Sequence, residues 1–170
     1  MTCESVVRIA KPEDSLECWR LLKAAHEDNG LFPLAPQKVN YFLMRCIHPE
    51  IIAPDDTGPR GVIGVIGTPG HLEALSFMLI GGYWYTDIKT LEELLVFVDP
   101  NHRRSNHAKA LISWMKYQSD ITGLPLLTGI ISNKRTEAKV RLYQRLLPTA
   151  GAFFLYNGKG SIHSSSAAYA

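Results

Sequence analysis

The chain has 170 residues, 46% hydrophobic and 20% charged, with a net charge of +2 when histidine is neutral. This is the length and balance of one soluble globular domain with its own core, and so mild a charge argues against a nucleic-acid or anionic-membrane surface. No stretch approaches the ~20 apolar residues of a membrane span, and residues 1–10 lack the charged start and apolar run of a secretory leader.

Val6-Val7-Arg8-Ile9 alternates and predicts a strand. Lys11-Pro12-Glu13-Asp14 then predicts a helix start. Proline there gives up only an N–H that would be unpaired anyway, and the acids favour the positive end of the helix dipole. Leu16, Trp19, Leu22 and Leu21, Ala25 recur at helical spacing until Asn29-Gly30 stops the run. A second helix opens at Pro36, carries Val39, Phe42, Leu43, Cys46 and Ile47 on one face, and ends at Pro49. Residues 51–53 and 62–66 flank the turn sequence Asp55-Asp56-Thr57-Gly58 and predict a hairpin. Residues 71–80 predict a strand running toward Tyr83-Trp84-Tyr85, although period alone leaves a helix open for 72–79.

Residues 92–98 read as a strand, with Val96-Phe97-Val98 strongly β-favouring and Asp99-Pro100 closing it. Residues 108–121 predict a helix with Ala108, Leu111, Ile112 and Met115 on one face and Gly123 as its stop. A strand over 126–131, a helix over 136–147 and a last strand over 152–156 follow. The small, polar tail 159–170 is predicted to be mobile. One mixed α/β domain over 1–158, without repeat or linker, results. Cys3, Cys18 and Cys46 are odd in number and lack metal-ligand or redox spacing. They point to a reduced, cytoplasmic setting with Cys18 and Cys46 in the core, and to no metal.

The segment from Leu94 to Ala108 carries the most chemistry. It places a buried strand, a compact polar loop and a helix start in succession. The first turn of a helix leaves N–H groups unpaired and partly positive, which suits an anion. Arg103 and Arg104 add full charges matched to phosphate, and small residues at Ser105 and Ala108 allow close approach to the backbone. An ordinary strand-to-helix turn with solvated arginines has the same appearance.

The same segment resembles the central motif of the GNAT acyltransferases, in which an apolar strand and a proline precede Arg/Gln-x-x-Gly-x-Gly/Ala at a helix start. Arg103 matches the first position and Ala108 the last, while Asn106 stands where the middle glycine usually sits; asparagine tolerates the left-handed conformation better than other side chains. The resemblance implies a single-domain α/β fold whose mixed, mostly antiparallel sheet is splayed at its central strands, with helices on both faces. It further implies acetyl-CoA as co-substrate, with Arg103, Arg104, Ser105, Asn106, His107 and Ala108 around the pyrophosphate. Phe97 and Val98 would hold the pantetheine arm through their backbone, as an added strand would. His102 and His107 are expected at the surface rather than in catalysis.

Ile131-Ser132-Asn133 followed by Leu142-Tyr143 resembles the family's later motif, which implies Asn133 on the pantetheine and Tyr143 as the acid that assists thiolate departure. The 133–143 run also looks like bacteriophage-borne members, for which the setting would be a host cytoplasm. The base stays open among Asp87, Glu92, Glu93 and a relayed water. Glu93 is preferred, and strict alternation puts it on one strand face with Leu95 and Phe97. Direct transfer of an acetyl group to a primary amine is thus the expected activity. The acceptor is a small molecule or a protein amine, faced by residues 29–37 and 71–87 with Phe32, Tyr83, Trp84 and Tyr85. A CoA-binding or protein-interaction module without turnover is the alternative. Neither nucleic acid nor membrane is expected as a partner, and a homodimer is admitted without any pattern that requires it.

Overall fold

A computed structural model describes residues 5–132 and 134–155 of the chain. The elements run β1 (Arg8–Ile9), α1 (Ser15–Asn29), α2 (Pro36–Ile47), β2 (Gly61–Thr68), β3 (His71–Gly82), β4 (Lys89–Val98), α3 (His107–Thr122), β5 (Leu126–Leu127) and α4 (Thr136–Leu146). Three single 3-10 turns punctuate them: Pro12–Asp14, Pro49–Ile51 and Pro100–His102. The strands form one sheet in the order β1-β2-β3-β4-β5, antiparallel except for the parallel pair β4–β5.

Helices cover both faces. Against α1 and α2, the sheet buries Ile63, Val65, Leu72, Leu75, Phe77 and Phe97 among Cys18, Leu21, Leu22, Leu43, Cys46 and Ile47. Burial pushes the thiols of Cys18 and Cys46 up to about 12, so both behave as apolar filling. On the other face Met78 and Leu91 meet Ile112 and Met115 of α3, with Leu142, Tyr143 and Leu146 of α4 packed alongside. Gly64 of β2 is a contact point for α3: a Cβ there would lie 2.5 Å from the Trp114 ring. Gly123, the expected stop of α3, ends it at φ 69°, the left-handed conformation that favours glycine. At the amino end, Arg8 grips the fully buried Asp14 through two hydrogen bonds of 2.7 and 2.8 Å, tying β1 to the start of α1.

Three predicted strands differ. Ile51 ends the 3-10 turn begun by Pro49, and residues 51–53 have no strand partner among the described residues; β2 instead forms its hairpin with β3, across Pro69-Gly70. Only Leu126–Leu127 of the predicted 126–131 strand pairs, because β4 leaves its neighbour after Glu92. Residues 152–155 of the predicted last strand form no regular element, and Tyr156 lies outside the described residues, as does the predicted tail 159–170. The helix alternative for 72–79 is excluded, since β3 spans them. Among the described residues no helix is long and apolar enough to cross a membrane.

Candidate active site

Parallel pairing between the central strands consists of Leu91 with Leu126 and Glu92 with Leu127. Past that point β4 runs on to Val98 beside a cavity of about 670 Å³ rather than a strand. Glu92 to Val98, Leu127 to Ser132, the end of α1 and the inner face of α4 line it. The splay expected from the sequence is therefore present, and it leaves the edge of β4 open for an extended ligand to pair with.

A bulge decides what points into this space. In the β3–β4 ladder Phe77 faces Leu95 and Met78 faces Glu93, so Leu94 is an extra residue on β4. Alternation is broken there. Leu95 and Phe97 pack toward α1 and α2, whereas Leu91, Val96 and Val98 pack toward α3. Glu93 opposes Met78 and meets Tyr143, so it shares the α3 face with Val96 and not, as alternation predicted, the face of Leu95 and Phe97.

The Tyr143 hydroxyl donates to Glu93 Oε1 at 2.6 Å. Glu93 Oε2 is shut off from solvent and has no hydrogen-bond partner among the described residues. Desolvation raises the Glu93 carboxyl to about 7, against the pull of the Tyr143 hydrogen bond, which favours the charged form. The Tyr143 phenol is pushed well above its ordinary range, first by burial and then by the neighbouring carboxylate. Near neutral pH the Glu93 carboxyl thus stands close to its titration midpoint, while the phenol keeps its proton. Of the other candidate bases, Glu92 lines the cavity and accepts from Thr90 Oγ1, while Asp87 is exposed and does not line it.

The loop before α3 is a 3-10 turn in which Asp99 accepts from the Asn101 amide. Asn106 adopts φ −88°, so the loop closes without the left-handed residue expected at this position. Ser105 Oγ donates to His102 O and accepts from the His107 amide, while the amides of Ala108 and Lys109 have no acceptor among the described residues. Phe97, Val98, Arg103 and Ala108 line the cavity; Arg104, Ser105 and Asn106 are exposed at its edge. His107 is buried rather than at the surface, and its ring turns from the cavity toward Glu73 and Ser5. Asn133 lies outside the described residues.

Sequence reasoning missed the closure at the end of α1. Asp28 pairs with Arg103 at 2.6 Å, and Asn29 accepts from Ser132 Oγ at 3.1 Å and from Lys139 Nζ. Burial lowers Lys139 from the usual lysine range. Arg135, just before α4, and Lys139, Leu142 and Tyr143 within it all line the cavity, and the 0, 3, 4 spacing of the last three marks one helix face that the sequence could have flagged. Of the aromatic residues expected on the acceptor side, Phe32, Tyr83, Trp84 and Tyr85 are all exposed, and none lines the cavity. His26, Leu34 and Val39 do so instead.

No protein-family model and no curated protein matches the sequence. Solved structures do match. A ribosomal-protein-alanine N-acetyltransferase from Brucella melitensis biovar Abortus 2308 superposes with a TM-score of 0.63 at 15% identity, covering 91% of this chain and 97% of the other. AAC(6')-Iy, in complex with the bisubstrate analogue CoA-S-monomethyl-acetylneamine, gives 0.61 at 15% identity over 92% and 99%. A Trypanosoma brucei acetyltransferase gives 0.61 at 19% identity over 90% and 98%. The chain has the GNAT fold. Within that GNAT fold the parted central strands, the loop after β4 and the Glu93–Tyr143 pair all open on one cavity.

Proposed function

We propose that this protein is an N-acetyltransferase that moves the acetyl group of acetyl-CoA directly onto a primary amine. The buried, unpartnered Glu93 Oε2 beside the Tyr143 hydroxyl, in the cavity at the parted strands, carries this reading. The surroundings fit the co-substrate in two further respects. Among the described residues, the edge of β4 past Glu92 that faces away from β3 has no strand partner, and the first amides of α3 at Ala108 and Lys109 are unspent. Phe97 and Val98 would hold the pantetheine arm through main-chain hydrogen bonds. Arg104, with Ser105, Asn106, the His107 main chain and Ala108, would hold the pyrophosphate; Arg103 joins them only by sharing or leaving Asp28. Neighbours named for N-acetyl transfer, one of them carrying a CoA-containing analogue, support the same assignment.

When bound, acetyl-CoA supplies an activated acetyl thioester. The chain's own residues do the rest. Glu93 is the base for the proton of the acceptor amine, a role suited to a carboxyl near neutrality. Tyr143 passes its proton to the departing thiolate as the proton gained by Glu93 crosses their 2.6 Å hydrogen bond, so the phenol is restored and the amine proton ends on the CoA thiol. Main-chain N–H groups of β4 past the bulge are fixed donors for a carbonyl oxygen. Among the described residues no cysteine competes as a nucleophile, because Cys18 and Cys46 are buried in the α1–α2 face.

Thermal unfolding with CoA and acetyl-CoA, followed by CoA release with polyamines, aminoglycosides, amino acids and lysine peptides, tests the proposal. Stabilisation by ~2.7 kcal/mol is expected at a hundredfold excess over Kd, together with CoA release on at least one amine class. Binding without turnover on any amine would favour a CoA-binding module, a reading consistent with the engagement of Arg103 by Asp28. No stabilisation by either ligand would remove both readings.

A further inference from the structure

A second cluster of chemically capable side chains lies away from the cavity, where the β2–β3 hairpin meets the turn after β4. His71 opens β3, Glu73 follows it, and His102 closes the 3-10 turn Pro100–His102. None of the three lines the cavity. Their nearest ligand-capable atoms all lie within 4.8 Å of one another, and His102 Nε2 is 3.8 Å from Glu73 Oε1. We infer that His71, Glu73 and His102 form a binding site for a divalent transition-metal cation of the zinc class.

Four observations carry the assignment. First, a bulge aims the carboxylate: Ile66 faces Ala74 and Gly67 faces Leu72, so Glu73 is the extra residue in its ladder. Second, its other oxygen is already held. His107 Nε2 donates to Glu73 Oε2 at 2.6 Å, and His107 Nδ1 meets Ser5 Oγ at 2.7 Å, the outer support that orients a metal-ligating carboxylate. Third, the rings of His71 and His102 make no hydrogen bond to any described residue, and their centroids are 6.2 Å apart, edge to face. Among the described residues, two imidazoles converging on a fixed carboxylate have no hydrogen-bond partner for their nitrogens. Fourth, the surroundings are anionic. Glu17 accepts from the Leu72 amide within electrostatic reach of His71, Asp99 lies within reach of His102, and one guanidinium, Arg20, serves both acids.

Two imidazoles and a carboxylate suit zinc, leaving a position for water. Zinc–ligand distances of about 2.0–2.2 Å bring tetrahedral ligand atoms to roughly 3.3 Å of one another, so binding draws the three groups together by up to about 1.5 Å. His71 is exposed at the start of a strand and has the rotamer freedom to move. Magnesium and calcium prefer oxygen ligands and are not expected to bind.

Zn²⁺ titration of the metal-free full-length chain against a chromophoric chelator tests the site, with Co²⁺ absorption as a second readout and Mg²⁺ as a control. One equivalent of Zn²⁺ is expected, weakened at least tenfold by His71→Ala and by His102→Ala, each with an unchanged circular dichroism spectrum. A visible Co²⁺ band should be lost in the same variants. Absence of a stoichiometric Zn²⁺ site, or an affinity that both substitutions leave unaltered, overturns the assignment. Because these readouts need neither CoA nor turnover, the outcome is independent of the acetyl-transfer proposal.

Discussion

Replacing Glu93 by glutamine removes a charge that the fold holds out of water while keeping the side chain's shape and an acceptor for the Tyr143 hydroxyl. The Glu93 carboxyl stands at about 7 when folded against an ordinary 4.5. A group whose folded value is raised binds more protons in the native than in the unfolded state between those two pH values, so stability falls as pH rises through that window. At about 1.4 kcal/mol for each tenfold change, the native state of the wild type loses roughly 2–3 kcal/mol between pH 5 and pH 8 from this group alone. Glutamine loses none of it. Any fixed cost of placing an amide where Oε2 is now buried without a partner is the same at both pH values and cancels. Urea and thermal unfolding of both proteins at pH 5, 6, 7 and 8 should therefore show the stability of Glu93→Gln, relative to wild type, climbing by that amount. For a chain of this length the climb corresponds to a relative midpoint change of roughly 4–12 °C. A difference that stays flat across the range would refute the desolvation argument and, with it, the poised base. Activity should move the opposite way, with loss of about 10²–10⁴-fold and of the pH limb near 7.

Tyr143→Phe removes the one hydrogen bond that draws the Glu93 carboxyl downward, so the acidic limb of the rate profile should shift to higher pH as the plateau rate falls by at least tenfold. An unchanged limb with an unchanged rate would show that the hydroxyl serves packing alone. Gly64→Ala places a methyl group against the Trp114 ring and should cost about 1–3 kcal/mol in urea unfolding, with no change in metal or CoA affinity. Wild-type stability in that variant would mean that α3 shifts freely across β2.

Much of the architecture was legible because helices announce themselves locally. Pro12, Pro36, Asn29-Gly30 and Gly123 punctuate periodic apolar runs, and α1, α2, α3 and α4 follow those marks to within a residue or a short initial turn. A strand is less self-contained, since its hydrogen bonds belong to a neighbour. Residues 51–53 and 128–131 have strand-like composition but no ladder to join, and they stay outside the sheet.

By itself the sequence determined the α/β class, the helix boundaries, the strand–loop–helix around Arg103 and the pairing of Glu93 and Tyr143 as candidates. Tertiary structure alone decided that they meet. One extra residue at Leu94, visible only as two residues of β4 opposite one of β3, turns Glu93 onto the α3 face and into reach of Tyr143. A bulge is a property of two strands in register, and ion pairs such as Arg103–Asp28 join positions 75 residues apart, so neither is written in the local pattern of a single segment.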